Sequence, residues 1–281
     1  MPEQQSADLH AHTTCSDGTL TPEELVSAAV DAKLAAFAIT DHDTVSGVAR
    51  AQLAASATNV ELIPGIELSS HAGGREVHLL GLFIEPGAGA LGELADRQRA
   101  YREERAEVMV ARLRRLGVSI DLAAVVEVAS GAPIGRPHMA VALVQAGVVT
   151  APQKAFDRYL GIGRPAFAPK KSTPAAKAIS AIHGAGGVAV VAHPGSSRVR
   201  AKLLGELAAA GLDGIEVRHP RHPPRRQQSL MELCNDLGLL PSGGSDFHGP
   251  GRGDTRLGQY RIPIHWTERL RGRAEQHRAA R

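Results

Sequence analysis

The chain has few of the residues that would mark it as a disulfide-bonded, secreted or membrane protein. It contains only 2 cysteines, Cys15 and Cys234, in 281 residues, so no disulfide framework is predicted and a reducing compartment is indicated. No uninterrupted apolar stretch reaches the ~18 residues that a membrane-spanning helix needs. The N-terminus lacks the basic segment and apolar run of a signal peptide. We therefore expect a cytoplasmic protein.

Aromatic residues and net charge are also scarce. Phe, Trp and Tyr make up 3% of the chain, so we expect an aliphatic core. The formal net charge of +3 at pH 7 suits an anionic substrate, but it is too small to predict a protein that coats nucleic acid. The 43% of hydrophobic residues is ordinary for a globular protein. The length allows one large α/β domain, or one domain with an insertion.

Short apolar runs alternate with helical patterns along most of the chain. A helix is predicted to begin at Thr21-Pro22-Glu23-Glu24, where Thr can cap it and Glu can complete a capping box. Thr173-Pro174 opens another helix in the same way. This alternation is typical of β–α–β units in a doubly wound sheet or a barrel. The predicted strands are Asp8–Thr13, Ala36–Thr40, Val60–Leu68, Glu76–Ile84, Gly187–His193, Gly214–Val217 and Leu239–Ser245.

Two segments depart from this alternation. Residues 91–171 contain no predicted strand, and Asp96–Leu116 has the composition of a charged helix. We interpret 91–171 as a helical insertion between residues 1–90 and 172–264, which would form one discontinuous domain. Residues 265–281 are rich in arginine. They are predicted to form a basic C-terminal tail, either frayed and solvated or serving as an arm for nucleic acid.

Histidine and acidic residues are concentrated at the ends of the predicted strands. His10 and His12 are two residues apart, which on a strand directs both imidazoles to the same side. The C-terminal ends of the strands of a parallel barrel converge on one mouth, where active sites are built. So many polar side chains would be costly to bury there unless they were paired or bound metal. Nitrogen and carboxylate ligands without cysteine suit Zn, Mn or Fe, and they are too many for one ion.

Several motifs together resemble those of the PHP (polymerase and histidinol phosphatase) family. They are HAHTTCSDGTLTPEEL, ITDHDT, PGIE, VHLLG, AHPG and SDFHG. Their order, with the segment GRPHMA, is similar to the stand-alone phosphoesterases that act on nucleotides, including 3′,5′-nucleotide bisphosphate phosphatases and 5′→3′ exoribonucleases. The resemblance runs from about residue 8 to 260. It implies an α/β fold, a distorted (β/α)7 TIM-like barrel with a trinuclear metal centre and a helical insertion over the active site.

The resemblance also implies a ligand set for three coupled divalent ions. A hydroxide that bridges two cations would attack phosphorus in line, while the ions offset the charge on the non-bridging oxygens. The implied ligands are His10, His12 and Asp246 for the first ion, Glu67 as a bridge to the second, His78 and His193 for the second, and Asp17, His42 and His248 for the third. Among these, Asp17, His42 and His193, together with Arg136, are expected to be catalytic.

Further residues are candidates for substrate binding. Arg136 in GRPHMA offers a planar, bidentate donor for phosphate, although a surface ion pair is the alternative. His138, Lys170, Lys171, His219 and His222 are weaker candidates, with solvated surface residues as the alternative. His183 and His277 have no partner pattern and are predicted to lie on the surface. Asp41 and Asp43 could orient His42 from behind.

The leading hypothesis is a metal-dependent phosphoesterase that removes a phosphate from a nucleotide, such as a 3′,5′-bisphosphate, AMP or the end of a short 5′-phosphorylated RNA or DNA. Histidinol phosphate phosphatase is an alternative, although GRPHMA favours a nucleotide. A processive 5′→3′ exonuclease would need a track for the strand, and few aromatic residues are present to stack on bases. A non-catalytic metal-binding accessory module is a third possibility. No membrane partner is expected, and the sequence does not indicate an oligomeric state.

Overall fold

The computed structural model describes residues 5–87, 89–195, 198–252 and 255–281. The chain forms two compact units. One consists of the residues up to 95 together with 173–281, and the other consists of residues 96–172. The segment predicted as a helical insertion, 91–171, overlaps the second unit.

The first unit is built on one mixed sheet of nine strands in the described residues. Its order is β8–β7–β6–β4–β3–β2–β1–β9, and β5 pairs with β3. Most neighbours are parallel, but β4 is antiparallel to both β3 and β6. The strands are β1 (Ser6–Asp8), β2 (Ala36–Ile39), β3 (Glu61–Ala72), β4 (Arg75–Leu82), β5 (Thr173–Pro174), β6 (Val188–Val191), β7 (Gly214–Arg218), β8 (Leu240–Gly243) and β9 (Ile262–Pro263).

Hydrogen bonds beyond β1 and β8 bring distant strands of the sheet together. The backbone N–H of Leu9 donates to the carbonyl of Gly243 at 3.1 Å, and that of His12 donates to the carbonyl of Phe247 at 2.8 Å. Ala11 and Phe247 form a parallel bridge. The sheet is therefore a nearly closed barrel, and the predicted α/β barrel fold is confirmed. The β3–β4 hairpin is where the barrel departs from a uniform β–α repeat.

The first predicted strand, Asp8–Thr13, is wrong in its extent, because β1 ends at Asp8. The Asp8 carboxylate accepts hydrogen bonds from the backbone N–H groups of Ser245 and Gly258. Asp8 thereby ties the end of β1 to the segment after β8, and the next residues pair with that segment. His10 and His12 therefore project from an extended stretch after the strand, not from the strand itself.

Ten α-helices are described. α1 begins with the predicted capping box, in which Thr21 and Glu24 each bond the other's backbone N–H. No described helix is both long and apolar enough to cross a membrane. The helices are α1 (Pro22–Asp31), α2 (Val48–Ala55), α3 (Gly89–Arg115), α4 (Leu122–Ala129), α5 (Arg136–Gln145), α6 (Pro152–Ala155), α7 (Ala175–Gly184), α8 (Arg198–Ala209), α9 (Pro224–Leu237) and α10 (Ile264–Ala279).

The arginine-rich C-terminal segment is not a tail, so that prediction is wrong. It forms α10, which buries Thr267, Leu270 and Ala274 at spacings that place them on one helix face. Leu270 and Ala274 belong to the same apolar cluster as residues of β1, β2 and β6. Arg278 donates to the backbone carbonyls of Phe83 and Gly186. The arginines of α10 therefore help to attach the helix to the barrel.

The second unit consists of helices and turns around its own apolar cluster. The C-terminal part of α3 packs there with α4, α5 and a π-helical turn at Phe156–Leu160. Arginines of α3 donate to backbone carbonyls of the same unit, as Arg99 does to Gly131 and Arg105 to Ala168. These arginines connect the loops of the unit to its longest helix.

Candidate metal centre

The predicted ligands meet at one end of the barrel. His10 and His12 follow β1, His42 follows β2 and His193 follows β6, while Asp246 and His248 follow β8. Glu67 and His78 lie within the β3–β4 hairpin, which is antiparallel and so brings the start of β4 to the same end. His193 and Asp246 adopt positive φ angles of 32° and 50°, which are uncommon for residues other than glycine and which cluster at functional sites.

Glu67 lies at the centre of this cluster and is completely buried. Its Oε1 is 2.7 Å from His78 Nδ1 and 3.1 Å from His193 Nε2. Its Oε2 is 3.4 Å from His10 Nε2 and 3.3 Å from His12 Nε2. Oε2 is also 2.9 Å from His42 Nδ1, so the two carboxylate oxygens face different sets of histidines.

Two further carboxylates complete the cluster. Asp246 Oδ1 is 3.4 Å from His10 Nε2 and 3.3 Å from His12 Nε2. Asp17 Oδ1 is 3.4 Å from His248 Nε2 and 3.9 Å from His42 Nε2. Every ligand implied by the resemblance thus lies in one continuous group of side chains. Candidate metal-holding subsets within it include His12–Asp17–His42–His248 and His42–Glu67–His78.

Several buried polar atoms in the cluster have no hydrogen-bond partner among the described residues. They are both ring nitrogens of His12, Oδ1 of Asp17 and Nδ1 of His42. A buried polar atom without a partner costs about 1–3 kcal/mol. His12 Nε2, His42 Nδ1 and Asp17 Oδ1 lie close to opposite charges without hydrogen-bond alignment, which is the arrangement expected of ligands for divalent cations. The residues present therefore fit a metal centre.

Charge interactions within the cluster lower the pKa of its carboxylates and raise the pKa of His10 and His12. Burial alone would raise the pKa of Glu67, but His42, His78 and His10 outweigh it and hold the pKa well below its usual range. Burial would likewise lower the pKa of His12, yet the carboxylates of Asp246 and Glu67, each 3.3 Å from its Nε2, raise it to about 10. The pKa of His10 is likewise raised by the surrounding carboxylates, whereas burial lowers the pKa of His42 and of His193.

Glu216 is a further acidic residue of the cluster, and the sequence analysis does not predict it. It is buried on β7, and its Oε1 is 2.8 Å from His10 Nδ1 while its Oε2 accepts from the backbone N–H of His193 at 2.6 Å. A carboxylate behind a ligating histidine fixes the ring and its tautomer. The sequence did contain an indication, because an acidic residue inside the apolar run Gly214–Val217 needs a buried partner.

Asp41 and Asp43, which are predicted to orient His42, both bond backbone and hydroxyl groups of neighbouring segments. Asp41 accepts hydrogen bonds from the backbone N–H and hydroxyl of Thr13 and from the Ser16 hydroxyl. It thereby shapes the loop that carries Asp17. Asp43 accepts from the backbone N–H and hydroxyl of Ser69. The His42 ring instead faces Glu67 and Asp17.

His219 and His222, which are predicted as candidates for substrate binding, are both buried. His219 is fully buried, and its Nε2 is 3.2 Å from Asp246 Oδ2. Its Nδ1 accepts from the backbone N–H of Arg221, which puts the ring proton on Nε2, facing Asp246. His222 is buried between the carbonyls of Val217 and Pro194. A role in substrate binding would require His222 to give up these bonds.

The remaining substrate-binding candidates belong to the second unit. Arg136 begins α5, and its guanidinium lies over the rings of Phe156 and Phe167, 5.8 and 5.7 Å from their centroids. His138 Nδ1 accepts from the backbone N–H of Gly135 at the start of α5. Lys171 pairs with Glu104 at 2.5 Å. Lys170 is half-buried beside it.

Comparison with known proteins adds the family context. The PHP domain model matches residues 8–124. The 5′-3′ exoribonuclease Rnm of Escherichia coli is 36% identical over 249 residues, covering 86% of this chain and 85% of its own. The 3′,5′-nucleoside bisphosphate phosphatase of Chromobacterium violaceum is 35% identical over 263 residues, covering 89% and 90%. A crystal structure from Bifidobacterium adolescentis, assigned as a metal-dependent phosphoesterase, superposes with a TM-score of 0.88 at 33% identity over 97% of this chain and 98% of its own.

Proposed function

Because the chain belongs to the PHP domain family, we propose that it is a metal-dependent phosphoesterase that hydrolyses a phosphate monoester of a nucleotide. The observation that carries the proposal is the position of Glu67, a buried carboxylate whose two oxygens face different sets of histidines. A carboxylate placed in this way can bridge two cations. Such a bridge is typical of centres that hydrolyse phosphoesters with more than one metal ion.

The proposed ligands fall into three groups that share this bridge. His10, His12 and Asp246 form the first, His78 and His193 the second, and Asp17, His42 and His248 the third. Ions bound there would lower the pKa of a bound water and offset the negative charge of a phosphoryl group. The ligand types admit Mn, Zn or Fe, and we propose three ions because the acidic residues fall into three places around the histidines.

The protein's own residues supply orientation. Glu216 fixes the His10 ring and the backbone of His193, and Asp41 holds the loop that carries Asp17. His219 directs a ring N–H at Asp246 and so holds that carboxylate in place. These contacts keep the proposed ligands in position before a substrate arrives, and such preorganisation is a large part of catalysis by electrostatic stabilisation.

Arg136 is proposed as the clamp for a substrate phosphate. The rings of Phe156 and Phe167 hold its planar guanidinium, so less conformational freedom is lost when it forms a bidentate contact. His138, Lys170 and Lys171 remain weaker candidates. The preference for a nucleotide is supported by the relatives from C. violaceum and E. coli, one named for a nucleoside bisphosphate and the other for RNA.

A phosphate-release screen tests the proposal. The protein is loaded with Mn²⁺, Zn²⁺ or Fe²⁺ in parallel and is offered adenosine 3′,5′-bisphosphate, 5′-AMP, histidinol phosphate and a short 5′-phosphorylated RNA. We expect the highest kcat/KM with one of the nucleotide substrates. Highest activity on histidinol phosphate would contradict the nucleotide assignment. No release from any substrate, by a protein shown to bind the metals, would indicate an accessory module.

RNA is the second candidate substrate because the E. coli relative is an exoribonuclease. The structure offers little support for a long track along a strand. Arg271, Arg273 and Arg278 of α10 are bonded to the first unit, and several arginines of α3 are bonded within the second unit. We therefore expect a short RNA to be trimmed distributively. Processive degradation of a long RNA in the same screen would show that a track exists.

A further inference from the structure

A second group of metal-ligating side chains lies away from the proposed catalytic centre. His183 lies near the end of α7, Asp213 immediately precedes β7, and His277 lies near the end of α10. The three residues are far apart in the sequence, and each comes from a different element. Histidine, aspartate and histidine in one group are ligands that transition metals use in proteins.

The position of Asp213 along β7 separates this group from the proposed catalytic centre. Asp213 precedes the first residue of the strand, whereas His219, which contacts Asp246, follows the last. A strand rises roughly 3.3 Å per residue, so Asp213 and His219 are about 20 Å apart along the chain. The group therefore lies at the opposite end of the barrel from the catalytic centre.

The three side chains converge on a small volume. His183 Nε2 is 2.7 Å from Asp213 Oδ2, and His277 Nε2 is 2.9 Å from Asp213 Oδ1. The two rings are stacked with their centroids 3.9 Å apart, so both Nε2 atoms point towards the same carboxylate. One donor atom from each residue lies within 4.8 Å of the others.

We propose that His183, Asp213 and His277 bind a divalent transition-metal ion, best matched by Zn²⁺. Tetrahedral zinc with bonds of about 2.0–2.1 Å keeps its ligand atoms roughly 3.4 Å apart. The observed separations of 2.7 and 2.9 Å would therefore widen by about half an ångström, which side-chain rotations can supply. Two imidazoles and one carboxylate leave the fourth position for water.

The carboxylate of this group is buried, whereas its two imidazoles are partly exposed to solvent. This arrangement suits a site with a fixed acid that an ion can reach. The Asp213 side chain is 2% exposed, whereas those of His183 and His277 are 23% and 22% exposed. Asp213 Oδ2 also accepts from the backbone N–H of Ala189, which holds the carboxylate in place. An ion can therefore approach from the histidine side while the acid stays fixed.

Arg273 is the cation with which a metal would compete. Its NH1 is 3.2 Å from Asp213 Oδ1, and its side chain is 35% exposed. Zinc would itself compensate the charge of Asp213, so moving the guanidinium into solvent would not leave a buried carboxylate unpaired. Zinc at this position would link α10 to α7 and to the start of β7, which are joined here by packing, hydrogen bonds and the Arg273 ion pair.

Anomalous diffraction on the wild-type protein tests the site directly. Crystals equilibrated with micromolar Zn²⁺ are measured on both sides of the zinc absorption edge. We expect a peak within bonding distance of Nε2 of both His183 and His277. The proposal is overturned if both rings remain bonded directly to Asp213 with no peak, or if a peak appears only at millimolar zinc.

Zinc stoichiometry provides the second test. After equilibrium dialysis, His277→Gln is expected to hold about one zinc ion per chain less than the wild type. His265→Gln, which changes an exposed histidine on the same helix, is the matched control and should lose none. Phosphate release should be unchanged in both variants, since neither residue is in the proposed catalytic centre. Equal zinc content in His277→Gln and wild type overturns the proposal, and His183→Gln is measured in the same way if His277→Gln does not fold.

Discussion

At the scale of single residues, the chemistry of the barrel mouth depends on which histidines each carboxylate contacts. Glu67 faces five histidines, Asp246 faces two of these again, and Asp17 faces His42 and His248. Each carboxylate therefore compensates more than one potential ligand. Removing one carboxylate should disturb several metal contacts at once, whereas removing one histidine should disturb one or two.

Asp17→Asn and His193→Ala should each reduce phosphate release on the order of 100-fold or more. Asp17→Asn keeps the shape of the side chain but removes the charge, and His193→Ala removes a nitrogen that faces Glu67. Initial rates with the preferred substrate provide the measurement, and circular dichroism and the Tm establish that the variants fold. His265→Ala is the control. Normal turnover in either variant would contradict the proposed ligand assignment.

Glu216→Gln should reduce metal affinity by roughly 10–100-fold. Both oxygens of Glu216 accept hydrogen bonds, from His10 Nδ1–H and from the backbone N–H of His193. An amide can accept only one of these and would place an N–H against the other donor. Metal titration followed by activity provides the readout, with Glu206→Gln on α8 as an exposed control. A role confined to stability would lower the Tm but leave the metal titration midpoint unchanged.

Arg136→Ala should raise KM more than it lowers kcat, because a phosphate clamp binds ground state and transition state alike. Arg136→Lys should rescue only part of the loss, since lysine lacks the planar bidentate donor. Arg158→Ala, which removes an exposed arginine of the same unit, is the control. If KM in Arg136→Ala equals that of the wild type, Arg136 is not a clamp.

The sequence predicts best those residues whose surroundings recur along the chain. The candidate metal ligands stand at strand ends or in motifs of the resembled family, so their identity could be predicted without coordinates. Glu216 and Asp213 could not be assigned partners, because each interacts with side chains distant in the sequence. His183 and His277 are predicted to be surface residues without a partner; both are partly exposed, but each contacts Asp213. Their common partner, Asp213, is 30 residues from one and 64 from the other.

At the scale of elements, α10 shows how composition can mislead. The arginines in residues 265–281 suggested a solvated tail, yet the helix carries an apolar face at Thr267, Leu270 and Ala274. The spacing of three and four residues was present in the sequence but was outweighed by charge. The strand predictions were more successful, since the seven predicted strands correspond to seven strands of the sheet. The two-residue strands β5 and β9 are too short to leave a hydrophobic pattern.

Leu270→Ala should destabilise the protein by about 2–5 kcal/mol. The Leu270 side chain is fully buried against the barrel, so truncation leaves a cavity beneath α10. Urea unfolding monitored by circular dichroism gives the free energy of unfolding. Glu268→Ala, an exposed change on the same helix, should stay within about 0.5 kcal/mol of the wild type. Equal effects of the two substitutions would contradict the packed position of α10.

At the scale of the whole molecule, protons and metal ions compete for the same buried cluster. Carboxylates raise the pKa of His12 to about 10 and that of His10 well above its usual value, although burial acts in the opposite direction. A histidine must lose its proton before it binds a metal. Metal binding at neutral pH should therefore release protons, and the apparent affinity should rise with pH. Calorimetry in buffers of different ionisation enthalpy measures the number released.

The same linkage predicts how metal removal changes stability with pH. A histidine whose pKa is raised by folding contributes stability below its unfolded pKa of roughly 6.5, and that contribution is lost as pH rises towards 10. This contribution should make the chelated protein less stable at pH 9 than at pH 6.

Bound metal replaces the protons, so the gain in Tm on adding Mn²⁺ should be larger at pH 9. Thermal unfolding with and without metal at both pH values measures this gain, and His265→Ala should behave as the wild type. A gain in Tm that is the same at pH 6 and pH 9 would show that the metal does not displace protons from these histidines.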